Sequence, residues 1–195
     1  NQTPEFTPLA ERMRPRSLDE FVGQDHILGR GKLLRTLIET DNVQSMILQG
    51  PPATGKTSLA AIIANRTRAE FIKLNAVSLT IAELRSTVET AKNNRKYYGK
   101  RTIVFIDEIH AMKANIQMAL LQAVETGTFI LIGATTESVA HDLIPPLTSR
   151  CKTYTLQPLT SDEIKAIVAA ALQDEERGLG GKKLTLAPDT LGYLA

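Results

Sequence analysis

Residues 50–57 read GPPATGKT, set between the apolar run Met46-Ile47-Leu48 and the stretch SLAAIIANR at 58–66, whose apolar residues recur at helical spacing. The octapeptide fits G-x-x-x-x-G-K-[ST], the loop whose backbone N–H groups cradle phosphates. Its context is the one that loop requires: a short buried parallel strand before it and a helix after it, so that the glycines fall at a strand-to-helix turn. Gly50 and Gly55 permit backbone angles and close approaches that a side chain would block. Successive amides and the helix N-terminus can then converge on anionic oxygens. In such a loop Lys56 is expected to bridge the β- and γ-phosphates of a nucleoside triphosphate and the Thr57 hydroxyl to coordinate Mg2+, with Pro51, Pro52, Ala53, Thr54 and Ser58 completing the cradle. Ala53 stands where many such loops carry glycine. If the position needs a positive φ, alanine costs about 1 kcal/mol there; if it does not, the change is silent.

A second apolar run, Thr102 to Ile106 (TIVFI), stops at Asp107 and Glu108. It is β-branched and apolar throughout, as a central strand covered on both faces must be. Its carboxylates therefore emerge at a carboxyl-terminal strand edge, where open parallel sheets bind their ligands. Asp107 is assigned to magnesium, directly or through water, and Glu108 to orienting and deprotonating the attacking water. The bland alternative, two acids capping a strand, is weakened by the phosphate loop that precedes them.

Along the rest of the chain strands and helices alternate. Leu33 to Glu39 reads as a short helix, Met46 to Gln49 as a strand, Lys56 to Arg66 as a helix and Glu70 to Asn75 as a strand. Thr80-x-x-Glu83 is a capping box that opens a helix running to about Asn93. Ala114 to Glu125 is helical with Gly127 beyond its end, Phe129 to Ala134 is another buried strand, and Lys152 to Leu156 is a fifth. Alternation without hairpin signals predicts an α/β fold, a parallel five-stranded sheet with helices on both faces. After Gln157-Pro158-Leu159 the character changes. Thr160-x-x-Glu163 opens a helix that breaks at Gly178 to Gly181, and Leu186 to Leu194 starts another with Pro188 in its first turn. The expected domains are a flexible tail over 1–8, a nucleotide-binding core over 9–158 and part of a helical lid over 159–195.

Composition narrows the setting. The 195 residues are 43% hydrophobic with a formal net charge of +2, enough for one full core and without a general field that would attract nucleic acid. The one cysteine, Cys151, excludes an intramolecular disulfide and a multi-cysteine zinc site within the chain. No apolar run approaches the ~20 residues needed to cross a membrane, and residues 1–8 are polar. A cytosolic or nuclear setting is expected.

GPPATGKT, the FIDEIH segment, GATTE at 133–137 and LTSRC at 147–151 occur in the order and spacing of AAA+ ATPases of the clamp-loader branch. The opening PLAERMRPRSLDEFVGQDHILGRGKLL resembles still more closely the family of replication-associated recombination protein A, which includes the Werner-helicase-interacting ATPase of eukaryotes. The resemblance runs from about Pro8 to Leu159. It implies that Thr136 is sensor 1, contacting the γ-phosphate or positioning the lytic water, with Thr135 the neighbour to test second. It implies that Arg150 is the arginine finger inserted into a neighbouring subunit's site, where a planar cation stabilises charge that grows on the transferring phosphoryl group. The bland reading of Arg150 is a surface arginine ending a short helix. Arg14-Pro15 and Val22-Gly23-Gln24 resemble the segment that wraps the adenine, with Val22 against the base.

The same resemblance implies a homo-oligomer that binds ATP and ADP and acts on DNA (forks, ends or single strands), with replication proteins as possible partners and the bacterial nucleoid or a nucleus as its place. It also implies that the chain stops inside the lid, before the helix that carries the sensor 2 arginine and before a C-terminal oligomerisation region. Two relatives compete. Branch-migration ATPases of Holliday junctions share DEIH and IGATT but carry a β-hairpin between the carboxylate strand and sensor 1. Clamp-loader motor subunits share SRC but carry a four-cysteine zinc module that one cysteine cannot build. A non-hydrolysing scaffold would be signalled by loss of Lys56, Asp107, Glu108 or Arg150, and all four are present.

Departures from the family pattern lie outside the hydrolytic groups. His110 to Met118 (HAMKANIQM) replaces the usual HRFNKSQQD, and Ser138-Val139 replaces Asn-Pro after GATTE. His110 reads as a packing or supporting residue, and His26 and His141 are isolated. Lys92 to Arg101 (KNNRKYYGKR) interleaves five cations with Tyr97 and Tyr98. That stretch reads either as a patch for unpaired bases and phosphates or, preferred on sequence alone, as a solvated helix end with cations near a C-terminus.

Overall fold

The computed structural model describes residues 7–138 and 142–182. Helix 186–194, Pro188, Val139 and His141 lie outside the described residues, as does most of the expected tail. By contacts the chain divides into two units, Asp25–Pro158 and Asn1–Gln24 with Leu159–Ala195.

The larger unit is a parallel sheet of five strands in the order β2-β3-β4-β1-β5. These are β1 (Met46–Gln49), β2 (Glu70–Asn75), β3 (Thr102–Asp107), β4 (Ile130–Thr135) and β5 (Lys152–Thr155). Helices α2 (Asp25–Leu28), α3 (Leu33–Glu39), α4 (Lys56–Arg66), α5 (Ile81–Tyr98), α6 (Ala114–Glu125) and α7 (Pro145–Thr148) connect or precede them. Every pairing is parallel, so all carboxyl-terminal strand ends lie on one edge. The expectation of an α/β parallel sheet is met in strand number and direction.

Strands β1, β3 and β4 form the centre, and Ile47, Leu48, Ile103 to Ile106, Leu131 and Ile132 are fully enclosed there. Their continuous apolar runs reflect helices on both faces: α4 buries Leu59, Ala60, Ile62 and Ile63, and α6 buries Ile116, Leu120 and Leu121. Phe105 is 0% exposed, and truncating it to alanine would cost about 3–5 kcal/mol.

Several boundaries move. Helix α5 runs to Tyr98, five residues past the expected end at Asn93, and stops where Gly99 adopts a left-handed φ of 60°. Strand β4 begins at Ile130 and ends at Thr135, one residue later than expected at each end, and β5 stops at Thr155 rather than Leu156. Both capping boxes form: Thr80 and Thr160 each accept from the backbone N–H of Glu83 and Glu163, whose carboxylates accept the threonine N–H in return.

In the smaller unit α1 (Leu9–Arg12) precedes an irregular segment of bends, and α8 (Ser161–Gln173) follows Thr160. Helix α8 ends at Gln173, before the expected break at Gly178. Asp174 Oδ1 instead accepts from the N–H groups of Glu176 and Arg177, a local turn that competes with helix continuation. Arg177 then donates to Glu20 Oε2 at 3.0 Å, which joins the unit's two sequence-distant halves. That bond holds the Glu20 carboxyl below the ordinary glutamate range.

Cys151 is buried, and burial pushes its thiol up to about 11. At pH 8 its thiolate fraction is then about one in a thousand, against about one in four for a free thiol. Iodoacetamide should modify Cys151 in the folded protein at least about 100-fold more slowly than in denaturant. Equal rates, read by mass spectrometry, would contradict this packing.

Candidate nucleotide site

Strand β1 sits between β4 and β5, so the loop it feeds emerges at the middle of the sheet's carboxyl-terminal edge. Gly50 donates its N–H to Thr135 O at 3.0 Å, and a Cβ on Gly50 would stand 2.5 Å from Leu156 O. Only glycine leaves β1 through that gap. Gly55 caps α4 with φ 93°, a left-handed conformation that turns the chain into the helix.

Within the loop the Thr54 hydroxyl donates to Pro51 O at 3.0 Å, and Lys56 Nζ donates to Gly50 O and Pro51 O, each at 2.6 Å. The lysine thus folds back over its own turn. Burial pulls the Lys56 ammonium below the ordinary lysine range, while the charges of Glu108 and Asp107 push it back up. Those carboxylates and the loop therefore share one electrostatic neighbourhood. Thr57 and Ser58 open α4 with partly accessible side chains.

Asp107 ends β3, pairs in register with Asn75 and accepts the N–H of Ala76 on its carbonyl. Glu108 follows in a left-handed conformation, φ 51°. A non-glycine residue there costs about 1–2 kcal/mol, a strain that recurs where a side chain must be aimed. His110 is the support that the sequence indicated only weakly: its Nδ1 shares a 2.9 Å hydrogen bond with Thr135 Oγ1 and stands 3.4 Å from Glu108 Oε2. The buried Thr135 hydroxyl also accepts the N–H of Glu137, so it is fully engaged. Thr136, just past the end of β4, is exposed at the same sheet edge.

Arg150 lies at the other edge. It precedes β5, whose first residue Lys152 is in register with Met46, the first residue of β1. Its guanidinium donates to Pro146 O at 2.8 Å and pairs with Glu125 Oε1 at 2.7 Å. It borders an open depression with Gln44, Ser45, Phe129 and Ile130. The length of β1 separates it from its own phosphate loop. Arg14, Pro15 and Val22 belong to the smaller unit; there Arg14 pairs with Glu11 at 2.6 Å and Val22 is half-buried.

A hard-oxygen pair, the Thr57 hydroxyl and the Asp107 carboxylate, is suited to magnesium. Among the described residues no cluster of three or more His, Cys, Asp or Glu could hold a metal alone. A metal at this edge would therefore depend on ligands from a bound nucleotide, as magnesium sites of this kind do.

Strand order, loop and carboxylates define a P-loop nucleoside triphosphatase. Residues 46–159 match the profile of the ATPase family associated with various cellular activities (AAA), and the chain belongs to that family. It is 44% identical over 191 residues to replication-associated recombination protein A of Haemophilus influenzae, covering 98% of this chain and 43% of that protein. It is 38% identical over 168 residues to ATPase WRNIP1 of Dictyostelium discoideum, covering 86% of this chain and 19% of that one. The chain thus spans less than half the length of these relatives. Among solved structures it resembles Thermotoga maritima RuvB, described as a Holliday junction branch migration motor, with a TM-score of 0.67 and 30% identity over 83% of this chain and 54% of that one. Between Asp107 and Ile130 this chain has only the short 3-10 turn Ile109–Ala111 and α6, and no hairpin.

Ala53 has φ 61°, so the position does require the left-handed region. Replacing Ala53 with glycine should raise stability by about 0.5–1 kcal/mol, measured by urea unfolding without nucleotide. A loss of stability would show that the alanine methyl makes contacts outweighing its backbone strain.

Proposed function

We propose that the chain is the ATP-binding and ATP-hydrolysing module of a replication-fork maintenance or recombination factor that acts on DNA as a homo-oligomer. One observation carries the hydrolytic reading: Lys56, Asp107 and Glu108 share one neighbourhood at the edge where the phosphate loop emerges. The DNA-directed part rests on the names of the relatives, which concern replication and recombination.

In this reading the amides of residues 50–57 and the N-terminus of α4 receive the phosphates. Lys56 exchanges its two carbonyl partners for phosphate oxygens, and its charge is then matched by an anion rather than by dipoles. Thr57 and Asp107 hold magnesium, which when bound neutralises charge on the phosphate oxygens. Glu108 takes the proton of the attacking water, with His110 restricting its carboxylate. Thr136, whose hydroxyl is not tied into the strand as that of Thr135 is, orients the water or the γ-phosphate. Arg14, Pro15 and Val22 remain the candidates for the adenine side by resemblance alone.

Arg150 acts in trans. It cannot serve its own loop from the opposite edge of the sheet, and the ion pair with Glu125 presents it on an open surface. A second subunit docked there would place its nucleotide against the guanidinium. The branch-migration alternative is disfavoured by the absence of a hairpin between β3 and β4. A partner-regulated scaffold would show nucleotide binding without turnover.

Glu108→Gln should keep ATP affinity and lower turnover by about 100-fold or more, since the cradle stays and the water loses its base. Lys56→Ala should lose affinity itself, read by binding of a fluorescent ATP analogue. Unchanged turnover in Glu108→Gln, with contamination excluded, would sink the assignment.

Arg150→Ala should bind ATP and be inactive alone, yet recover some turnover when mixed with Glu108→Gln in the full-length protein. Some interfaces of a mixed oligomer then pair an intact Glu108 with an intact neighbouring arginine. Absence of recovery in a demonstrably mixed oligomer would make Arg150 structural. Full-length protein should also be stimulated by DNA, less so as salt rises. Indifference to every DNA form, with stimulation by a protein partner, would replace the DNA-directed reading.

A further inference from the structure

We propose that the amino-terminal edge of the sheet, where α5 ends and the chain enters β2 and β3, binds single-stranded nucleic acid. Tyr97 and Tyr98 are the stacking platforms, and Arg66, Arg68, Arg95 and Lys96 are the phosphate contacts. The inference rests on the reading that the protein acts on DNA, and it adds a place and a strand class to that reading.

Tyr97 is 66% and Tyr98 77% exposed. They are two of only four tyrosines in the chain, and they stand side by side on the last turn of an 18-residue helix. A solvated helix end accounts for cations, which favour the carboxyl terminus. It gives no reason for two adjacent aromatic rings in water. Arg95 and Tyr98 are three residues apart and share one helix face, and Lys96 Nζ lies 5.1 Å from the Tyr97 ring centroid. Ring faces flanked by cations are the pattern on which unpaired bases stack while their phosphates are neutralised.

The charge at this edge is unbalanced. Lys92, Lys100 and Arg101 are each matched by an acid: Glu89, Glu70 and Asp41. Arg66, Arg68, Arg95 and Lys96 are exposed and have no ion pair among the described residues. Backbone pairing joins the two chain entries at this edge: Glu70, two residues after Arg68, is in register with Thr102 and donates its N–H to Arg101 O, just beyond the end of α5. Two unmatched cations at the end of α4 and two on the last turn of α5 thus lie at the amino-terminal edge of a chain whose formal net charge is +2. A polyanion with accessible π-faces complements both features. A duplex offers the charge but keeps its base faces within the stack, so the tyrosines select the single strand.

The test uses full-length protein and a fluorescently labelled oligothymidine, read by anisotropy. Replacing Tyr97 and Tyr98 together by alanine should weaken binding about tenfold or more. Replacing both by phenylalanine should leave it near the parental value, and duplex affinity and DNA-independent ATPase should be unchanged in both. Arg95→Gln with Lys96→Gln should lower the slope of log affinity against log salt by about 1.4. Parental affinity and slope in the alanine and glutamine variants would overturn the surface, as would an equal loss with phenylalanine. If such variants still show full DNA-stimulated ATPase while binding of an acidic protein is lost, the patch is a protein-docking site. A parent that binds no DNA of any form would overturn the broader DNA reading together with this one.

Discussion

The passage of the chain out of β1 through Gly50 is the constraint on which the site depends. The glycine N–H is tied to Thr135 O, and its Cα lies so close to Leu156 O that a methyl group would meet it at 2.5 Å. One residue thereby fixes the phosphate loop against the ends of both neighbouring strands. Because β4 separates β1 from β3, the Asp107 and Glu108 carboxylates face the loop across the width of one strand, and Thr136 emerges between them. The spacing suits a triphosphate held at one end and attacked at the other.

Parallel pairing also assigns the two edges of the sheet different work. The carboxyl-terminal edge carries the loop, the carboxylates and Thr136. The amino-terminal edge carries Arg150, the end of α5 and the unmatched cations. If Arg150 is the arginine finger proposed above, it stands at the wrong edge for its own nucleotide and serves only a neighbouring copy. In the proposed reading assembly is a condition of activity, because electrostatic stabilisation of the transferring group demands a donor at the reacting phosphate.

Much of this was legible because the decisive signals are local. The phosphate loop, the apolar run before Asp107 and the two capping boxes each involve residues within a few positions of one another, and each formed. What failed was also local in cause. KNNRKYY has no apolar period, so nothing in it announces that α5 continues; it continues because its residues tolerate a helix until Gly99 turns left-handed. The end of α8 was hidden in the choice of Asp174 to bond the following amides. Helices α1, α2 and α7, each of four residues, are too short for periodicity to reveal. Long-range pairings were out of reach altogether: His110 meeting Thr135 and Arg177 meeting Glu20 are separated by 25 and 157 positions.

Left-handed strain in the site falls on two residues, and only one of them has a reason to bear it. Ala53 and Glu108 both occupy the left-handed region, the first inside the loop and the second immediately after the strand that carries Asp107. A glycine at either position would relax the backbone. At 53 that exchange removes only a methyl group. At 108 it would remove the carboxylate itself, so the backbone strain is the cost of keeping an acid where the chain bends. The contact between His110 and Thr135 offsets part of that cost by anchoring the turn to β4, whose carbonyl at Thr135 also holds Gly50. Loop, acid and neighbouring strand are consequently tied together through Thr135, whose carbonyl holds Gly50 and whose hydroxyl holds His110 beside Glu108.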